Sequence, residues 1–210
     1  MKMVLLGPPG AGKGTQADAL EKKLNVPAIS TGDILRDAAA KGTPVGLKAK
    51  SFMDAGELVP DEVIIGIVID RISMKDCSNG YILDGMPRTL VQAEALDEQG
   101  IEIDVVLSIE ISDDEILERL SGRRACHECK STYHVVYNPT KDEGICDNCG
   151  AELSIRNDDS REAIGTRLRA YQKDTAPLKA YYESQGKLKM LDSIRGVAET
   201  TAAIFNVLGI

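Results

Sequence analysis

The stretch GPPGAGKGT, residues 7–15, contains four glycines, two prolines and a single cation, Lys13. It follows MVLLG at 3–7, a short apolar run that is typical of a strand buried on both faces. From Thr15 onward, apolar residues recur at helical spacing. The pattern predicts a glycine-rich corner that joins a buried strand to the N-terminus of a helix.

Such a corner favours anions, because the first N–H groups of a helix lack intrahelical partners and the helix dipole is positive there. Glycines let the backbone curl around a phosphate, and Lys13 supplies charge. The stretch satisfies G-x-x-x-x-G-K, but Gly14 stands where Ser or Thr usually follows the lysine, and Thr15 comes one place later. An ordinary glycine-rich turn is the alternative. Because strand, motif and helix occur together, we predict that this corner binds phosphate.

The rest of the chain alternates strand-like and helix-like segments, which predicts an α/β fold with a parallel sheet covered by helices. Strands are predicted at 81–85, 104–111 and 187–191, and helices at 61–74, 88–98, 112–121, 160–185 and 197–208. Two regions break the alternation. We interpret them as a first insertion (30–59) and a second insertion (122–159).

Composition limits the function further. A length of 210 residues suits one large domain or one domain with insertions. The formal net charge of −8, from 33 acidic and 25 basic residues, argues against duplex nucleic acid as a partner. No apolar run reaches membrane-spanning length and no leader pattern precedes the first strand, so we expect a cytosolic protein without a membrane partner.

Four of the five cysteines lie in the second insertion, as CHEC at 126–129 and CDNC at 146–149, with 16 residues between the pairs. This spacing is typical of a four-thiolate metal site, and four thiolates leave no open position for catalysis. Zinc is favoured over iron, although spacing does not decide between them. His127 and His134 are interpreted as exposed polar residues, and Cys77 as a packed thiol. The predicted ligands are Cys126, Cys129, Cys146 and Cys149.

Together these motifs closely resemble adenylate kinases of the long-lid, zinc-bearing bacterial form, over nearly the whole chain. Besides GPPGAGKGT, the matching stretches are STGDILR (30–36), DGMPRT (84–89), GRR (122–124), RNDDSRE (156–162) and RLRAY (167–171). Two positions depart from the family pattern. Met86 replaces the usual Phe, and Ile34 replaces a more usual Leu.

The resemblance implies a five-stranded parallel sheet of the P-loop NTPase type, with a helical AMP-binding first insertion and a small zinc-bearing lid as the second. The implied core domain is 1–29, 60–121 and 160–210. The implied reaction is ATP + AMP ⇌ 2 ADP, with Mg²⁺ accompanying ATP, structural Zn²⁺ and a monomeric chain.

Site residues carry over from the matched motifs. For ATP they are Gly10, Ala11, Gly12, Lys13, Gly14, Thr15, Arg119, Arg123, Thr132, Tyr133 and Val197. For AMP they are Thr31, Arg36, Glu57, Leu58, Val59, Gly85, Met86, Pro87, Arg88, Gln92, Arg156 and Arg167. The implied catalytic set is Lys13, Arg88, Arg123, Arg156, Arg167, Asp158 and Asp159, with Asp84 orienting water around Mg²⁺.

These residue types suit phosphoryl transfer, in which positioning and electrostatics dominate and no strong general base is needed. Arginine is planar and bidentate toward phosphate. Asp158 and Asp159 are expected to fix the arginines. Thr31 could cap a helix starting at Gly32 as well as contact the AMP base, and the amide of Gln92 could pair with an adenine edge or simply be solvated.

Two other functions account for part of the sequence. A kinase for UMP, CMP or GMP would share the phosphate-binding residues, and Thr31 and Gln92 favour AMP over these acceptors. A zinc-ribbon module that binds nucleic acid would explain the cysteines, but neither Lys13 nor the arginines, and the acidic charge opposes it.

Overall fold

The computed structural model describes residues 1–192 and 196–210. The main sheet has five parallel strands in the order β2-β3-β1-β4-β8. Its strands are β1 (Lys2–Leu6), β2 (Ala28–Ser30), β3 (Tyr81–Asp84), β4 (Val105–Glu110) and β8 (Leu188–Asp192). The α-helices are α1 (Lys13–Leu24), α2 (Thr31–Ala40), α3 (Pro44–Ala55), α4 (Asp61–Ile72), α5 (Leu90–Glu98), α6 (Asp113–Ser121), α7 (Arg161–Ala170), α8 (Leu178–Ser184) and α9 (Val197–Leu208).

Strand β1 is the centre of the sheet and is buried on both faces. Its side chains alternate between two cores, because successive residues of a strand point to opposite faces. Val4 and Leu6 pack into one core cluster, and Met3 and Leu5 pack into the other. This double burial is why the strand reads as an unbroken apolar run in the sequence.

The second insertion forms a separate antiparallel sheet with the strand order β6-β5-β7. Its strands are β5 (Arg123–Cys126), β6 (Thr132–His134) and β7 (Leu153–Ser154). The first insertion consists mainly of α2 and α3, which pack against each other. Gly46 allows this close approach, since a Cβ there would lie 2.1 Å from the backbone carbon of Ala38.

The predicted fold class is confirmed, and three local predictions need correction. Strand β2 was not predicted, because three residues give too little pattern. The predicted 160–185 helix divides into α7, a wide turn at Tyr171–Thr175 and α8. Pro177 cannot donate the next helical hydrogen bond, and its ring crowds the preceding turn. The cap of α2 is Ser30, whose hydroxyl accepts the N–H of Asp33, and not Thr31.

Within residues 1–192 and 196–210, no helix combines the length and the apolar character that a membrane crossing requires.

Candidate active site

The glycine-rich corner lies between β1 and α1, as the sequence predicts. Gly12 has φ of +89° and caps α1, and this left-handed conformation favours glycine. Lys13 is the first residue of the helix. Its Nζ donates to the carbonyl oxygens of Gly7 at 2.8 Å and Pro8 at 2.9 Å. The ammonium group is therefore folded onto the loop that it would help to place around a phosphate.

The environment of Lys13 disfavours its charged form. Burial lowers the pKa of Lys13 to about 8; the carboxylate of Asp84 opposes this shift, and the cations Arg88, Arg167 and Arg123 reinforce it. An anion placed among these groups would raise the pKa again. The corner is thus electrostatically prepared for a polyanion.

A cleft of about 380 Å³ opens at the carboxyl ends of the parallel strands, where α/β sheets bind ligands. Most of the site residues inferred from the sequence line it. They are Gly10, Ala11, Gly12, Lys13, Gly14, Thr15, Thr31, Arg36, Glu57, Leu58, Val59, Asp84, Gly85, Arg88, Gln92, Arg119, Arg123, Thr132, Tyr133, Arg156, Asp158, Arg167 and Val197. Segments far apart in sequence therefore converge on one volume.

Three arginines and two carboxylates form an ionic cluster on one wall of the cleft. Arg123 Nε donates to Asp159 Oδ2 at 2.7 Å, and Arg167 Nη1 donates to Asp159 Oδ1 at 3.0 Å. Arg156 holds Asp158 through two hydrogen bonds of 2.9 and 2.8 Å. The side chain of Asp159 has no exposed area. It fixes the positions of Arg123 and Arg167.

The pKa values in this cluster reflect burial and crowding of like charges. Burial lowers the pKa of Arg123 to about 10; Arg156 adds to the shift and Asp159 opposes it. Burial also lowers the pKa of Arg167, against the opposing effect of Asp158. Burial acts to raise the pKa of Asp158, but Arg167 and Arg156 hold it well below its usual range. Negative phosphate oxygens would relieve the crowding of cations.

Further lining residues of the cleft come from α2, β3 and the segment after β3. Thr31 is buried and donates through its hydroxyl to the Gly85 carbonyl at 3.0 Å. Arg88 Nε donates to the same carbonyl at 2.9 Å. Arg36 Nη2 pairs with Asp33 Oδ1 at 2.6 Å. Burial acts to raise the pKa of Asp33, but the pair with Arg36 holds it below its ordinary value.

Two residues expected near AMP do not line the main cleft. Met86 is fully buried in the core cluster that contains Ile29 and Leu83. Its unbranched side chain packs where the family usually places a phenylalanine. Pro87 lines a smaller neighbouring cavity of about 70 Å³ together with Tyr171. The roles of Met86 and Pro87 toward AMP stay predictions.

Helix α6 and the second insertion also line the cleft. Arg119 lies on α6, 3.9 Å from the carboxylate of Glu115. His134 is half-buried instead of exposed as predicted, and its ring packs on Tyr137 with centroids 4.6 Å apart. Its Nδ1 accepts the N–H groups of Val136 and Tyr137 at 3.0 and 3.1 Å. His134 and Tyr137 add an aromatic wall that sequence reasoning missed.

Comparison with known proteins gives a consistent result. The sequence profile of adenylate kinase matches residues 5–187. An adenylate kinase of Carboxydothermus hydrogenoformans is 53% identical over 212 residues, covering 99% of both chains. Adenylate kinases of Caldicellulosiruptor bescii and Ruminiclostridium cellulolyticum are each 51% identical over 214 residues, covering both chains fully. The chain belongs to the adenylate kinase family.

This adenylate kinase family member also brings its four paired cysteines together. The four Sγ atoms of Cys126, Cys129, Cys146 and Cys149 lie within 4.8 Å of one another. The Sγ atoms of Cys126 and Cys149 are 3.4 Å apart, as are those of Cys129 and Cys146. Tetrahedral Zn–S bonds of about 2.3 Å require sulfur separations of roughly 3.8 Å. The donor set therefore fits zinc, and neither His127 nor His134 belongs to the cluster.

Each cysteine pair ends in the same left-handed turn. Gly150 follows the second pair with φ of +78°, and its N–H donates to the Cys146 carbonyl at 2.8 Å. Lys130 is the equivalent residue after the first pair, with φ of +66°. Its side chain reaches the first insertion, where Nζ lies 2.5 Å from Asp37 Oδ1. The two insertions of this adenylate kinase family member therefore touch across the cleft.

Sequence reasoning also missed Thr175 and Asp61, which contact Arg88 and Gln92. Thr175 lies in the wide turn after α7, and its hydroxyl donates to the Arg88 carbonyl at 2.8 Å. The side chain of Gln92 accepts the Arg88 N–H at 2.7 Å and donates to Asp61 at 2.7 Å. The Thr175 contact spans 87 residues and the Asp61 contact spans 31. No short-range sequence pattern could reveal these two contacts.

Proposed function

We propose that this chain catalyses the reversible transfer of the terminal phosphoryl group of MgATP to AMP, giving two molecules of ADP. Such an activity serves adenine nucleotide homeostasis. The observation that carries the proposal is the convergence of Lys13, Arg88 and the ionic cluster on one cleft. Membership of the adenylate kinase family supports the same reaction.

In the proposed arrangement, the core (1–29, 60–121 and 160–210) carries the phosphate-binding corner. ATP lies along this corner toward α6 and the second insertion. AMP lies between α2, the segment after α3 and α5, and its phosphate faces Arg36 and Arg88. The transferring phosphoryl group then passes between Lys13 and the ionic cluster.

The residues support transfer through charge and position. The transition state spreads negative charge over the oxygens of the phosphoryl group, and fixed cations stabilise that charge. Arg123, Arg156 and Arg167 are held by the carboxylates of Asp158 and Asp159. Their guanidinium groups therefore need little reorganisation during the reaction. Contact between the insertions would exclude water, which otherwise competes with AMP as acceptor.

Mg²⁺ is proposed to enter with ATP. The Asp84 carboxylate ends β3 beside the glycine-rich corner, since a Cβ placed on Gly14 would lie 3.6 Å from Asp84 Oδ2. A carboxylate at this place suits the water shell of a magnesium ion. When bound, the ion neutralises phosphate charge during transfer.

The metal centre of the second insertion is proposed to be structural zinc. A shell of four thiolates leaves no position for water or phosphate, so Cys126, Cys129, Cys146 and Cys149 would stabilise the insertion without entering the reaction. We further propose that the protein acts as a cytoplasmic monomer. Its partners would be ATP, AMP and ADP, without nucleic acid or membrane.

A coupled assay of ADP formation with AMP, GMP, CMP and UMP tests the reaction directly. AMP should exceed the other acceptors by at least about a hundredfold in kcat/KM, because sites that hydrogen-bond one base reject others strongly. Lys13→Ala should lower kcat at least about a hundredfold, and Arg88→Lys should recover little of the loss in Arg88→Ala, since lysine lacks a bidentate fork. Comparable rates with UMP or CMP would reject AMP as the acceptor.

A further inference from the structure

Gln92 is held by two hydrogen bonds of opposite sense. Its side chain is 2% exposed, on the first turn of α5, and lines the cleft. The Oε1 atom accepts the main-chain N–H of Arg88 at 2.7 Å. The Nε2 atom donates to Oδ1 of Asp61 at 2.7 Å. The oxygen and the nitrogen of the amide are therefore both held, by the Arg88 main chain and by the Asp61 side chain.

Asp61 is the first residue of α4 and is not among the residues that line the cleft. Its Oδ1 also accepts the hydroxyl of Thr89 at 3.1 Å. The Thr89 oxygen in turn accepts the N–H of Gln92 at 3.1 Å, which caps α5. Asp61, Thr89 and Gln92 thus form a closed hydrogen-bond network that ties the start of α4 to the start of α5.

This network fixes the orientation of the Gln92 amide, with its oxygen toward the Arg88 N–H and its NH₂ group toward Asp61. A main-chain N–H can only donate, and a carboxylate can only accept. A half-turn of the Gln92 amide would place its NH₂ group against the Arg88 N–H and its oxygen against the Asp61 carboxylate. Both contacts would then be repulsive. A buried polar group without a partner is costly, so the observed orientation is strongly favoured.

Two hydrogen-bonding positions of the amide are left for a ligand. An amide has two N–H donors and two lone pairs, and one of each is used. Within the described part of the chain, no partner takes the other N–H or the other lone pair. The locked amide therefore presents one donor and one acceptor in fixed places.

Purine bases differ in the pattern that they offer to such a pair. Adenine has a donor at N6 and an acceptor at N1, whereas hypoxanthine and guanine have an acceptor at O6 and a donor at N1. An amide that turns freely can pair with either pattern. A locked amide can pair with only one of them, and its mismatch with the other leaves like groups facing each other.

We propose that Asp61 determines the acceptor specificity of this chain, by holding the Gln92 amide in the orientation that fits adenine and opposes a 6-oxo purine. The inference rests on the proposed function, in which Gln92 faces the acceptor base. Asp61 acts as a positioning residue, because it reaches the base only through Gln92. Its effect is on the choice between bases and not on phosphoryl transfer itself.

Asp61→Asn tests the inference with little change in shape. Asparagine can present its NH₂ group to Gln92, so position 61 no longer opposes a turned Gln92 amide and only the Arg88 N–H still does. The ratio of kcat/KM for inosine 5′-monophosphate to that for AMP should rise at least about tenfold in this variant. Glu62→Gln is the matched control, since Glu62 is exposed in the same first turn of α4. It removes the same charge and should leave the ratio within about twofold of wild type.

A purely structural role for Asp61 would lower kcat/KM for both acceptors by the same factor and leave the ratio unchanged. That result would overturn the inference.

The wild-type enzyme provides a second test that does not depend on a variant folding. Purine riboside 5′-monophosphate keeps the N1 acceptor but carries only hydrogen at position 6. A locked amide predicts the order AMP, purine riboside monophosphate, inosine monophosphate, each about tenfold apart in kcat/KM. An inosine monophosphate rate equal to or above that of the purine riboside compound would show a freely turning amide and refute the inference. Absence of transfer to any of the three would instead refute the proposed function.

Discussion

Asp159→Asn should weaken both the fold and the reaction, through the ionic cluster. The carboxylate of Asp159 is fully buried and accepts hydrogen bonds from Arg123 at 2.7 Å and Arg167 at 3.0 Å. Asparagine has nearly the same shape but no charge. The buried guanidinium groups of Arg123 and Arg167 would then face one neutral amide oxygen instead of a charged carboxylate.

The magnitude follows from this geometry. Removing one partner of a buried ion pair costs about 3–5 kcal/mol, and the remaining amide oxygen places this change near 3 kcal/mol. For a chain of this size, each kcal/mol shifts the melting temperature by about 2–4 °C, so a fall of about 6–12 °C is expected. The value of kcat should fall at least about tenfold, because Arg123 is no longer fixed. KM for ATP should not rise, since the substitution removes a negative charge near the triphosphate.

Calorimetry and steady-state kinetics measure these effects on the same preparations. The control is Asp76→Asn, which breaks the exposed pair between Asp76 and Arg71 away from the cleft and should leave both melting temperature and kcat unchanged. If Asp159→Asn melted and turned over like wild type, the carboxylate would not be what holds Arg123. The division of roles in the ionic cluster would then be wrong.

Protonation, metal and closure each give one further prediction. The kcat/KM for ATP should fall as pH rises through about 8, because Lys13 in the free enzyme then loses its proton. The value of kcat should stay constant to higher pH. A kcat/KM that is flat up to pH 9 would contradict this prediction. Metal analysis should find about one zinc per chain. The Cys146→Ser variant should have a lower melting temperature, measured by calorimetry, and a nearly unchanged kcat at temperatures well below the unfolding transition. Loss of kcat with the second insertion still folded would show that the metal is catalytic. A ligand of two adenosines joined by five phosphates should protect amides of both insertions from hydrogen exchange, and protection confined to 7–15 would show that the insertions do not close. The Lys130→Ala substitution should weaken binding of this ligand less than about fivefold, because the ion pair between Lys130 and Asp37 is exposed.

Local signals made much of the molecule readable from its sequence. The glycine-rich corner follows from φ values that glycine favours, such as +85° at Gly10 and +89° at Gly12. The two cysteine pairs follow from a short turn that brings each pair of sulfurs to one side. Both features depend on residues within a few positions of each other. The central strand was equally plain, because burial on both faces leaves only apolar residues in it.

Longer-range features were not readable in this way. Strand β2 has three residues and exists because it pairs with β3, over 50 positions later. The break after α7 is set by Pro177, which a periodic apolar pattern does not register. Asp61 resembles any acidic residue in the first turn of a helix, and only the fold places it against Gln92. Such contacts carry information about specificity that composition and spacing lack.

The charge balance of the cleft links substrate binding to closure. The chain has a net charge of −8, yet the cleft gathers cations whose pKa values are lowered by burial, among them Lys13, Arg88 and Arg123. Asp158 and Asp159 offset part of this repulsion, and the remainder opposes bringing the walls together. Phosphate oxygens reverse the sign of that interaction, because each cation then faces an anion in a site of low dielectric. The negative charge of the substrates therefore stabilises the closed cleft, from which water is excluded during transfer. In an empty cleft the repulsion between cations is not offset in this way, and it favours opening.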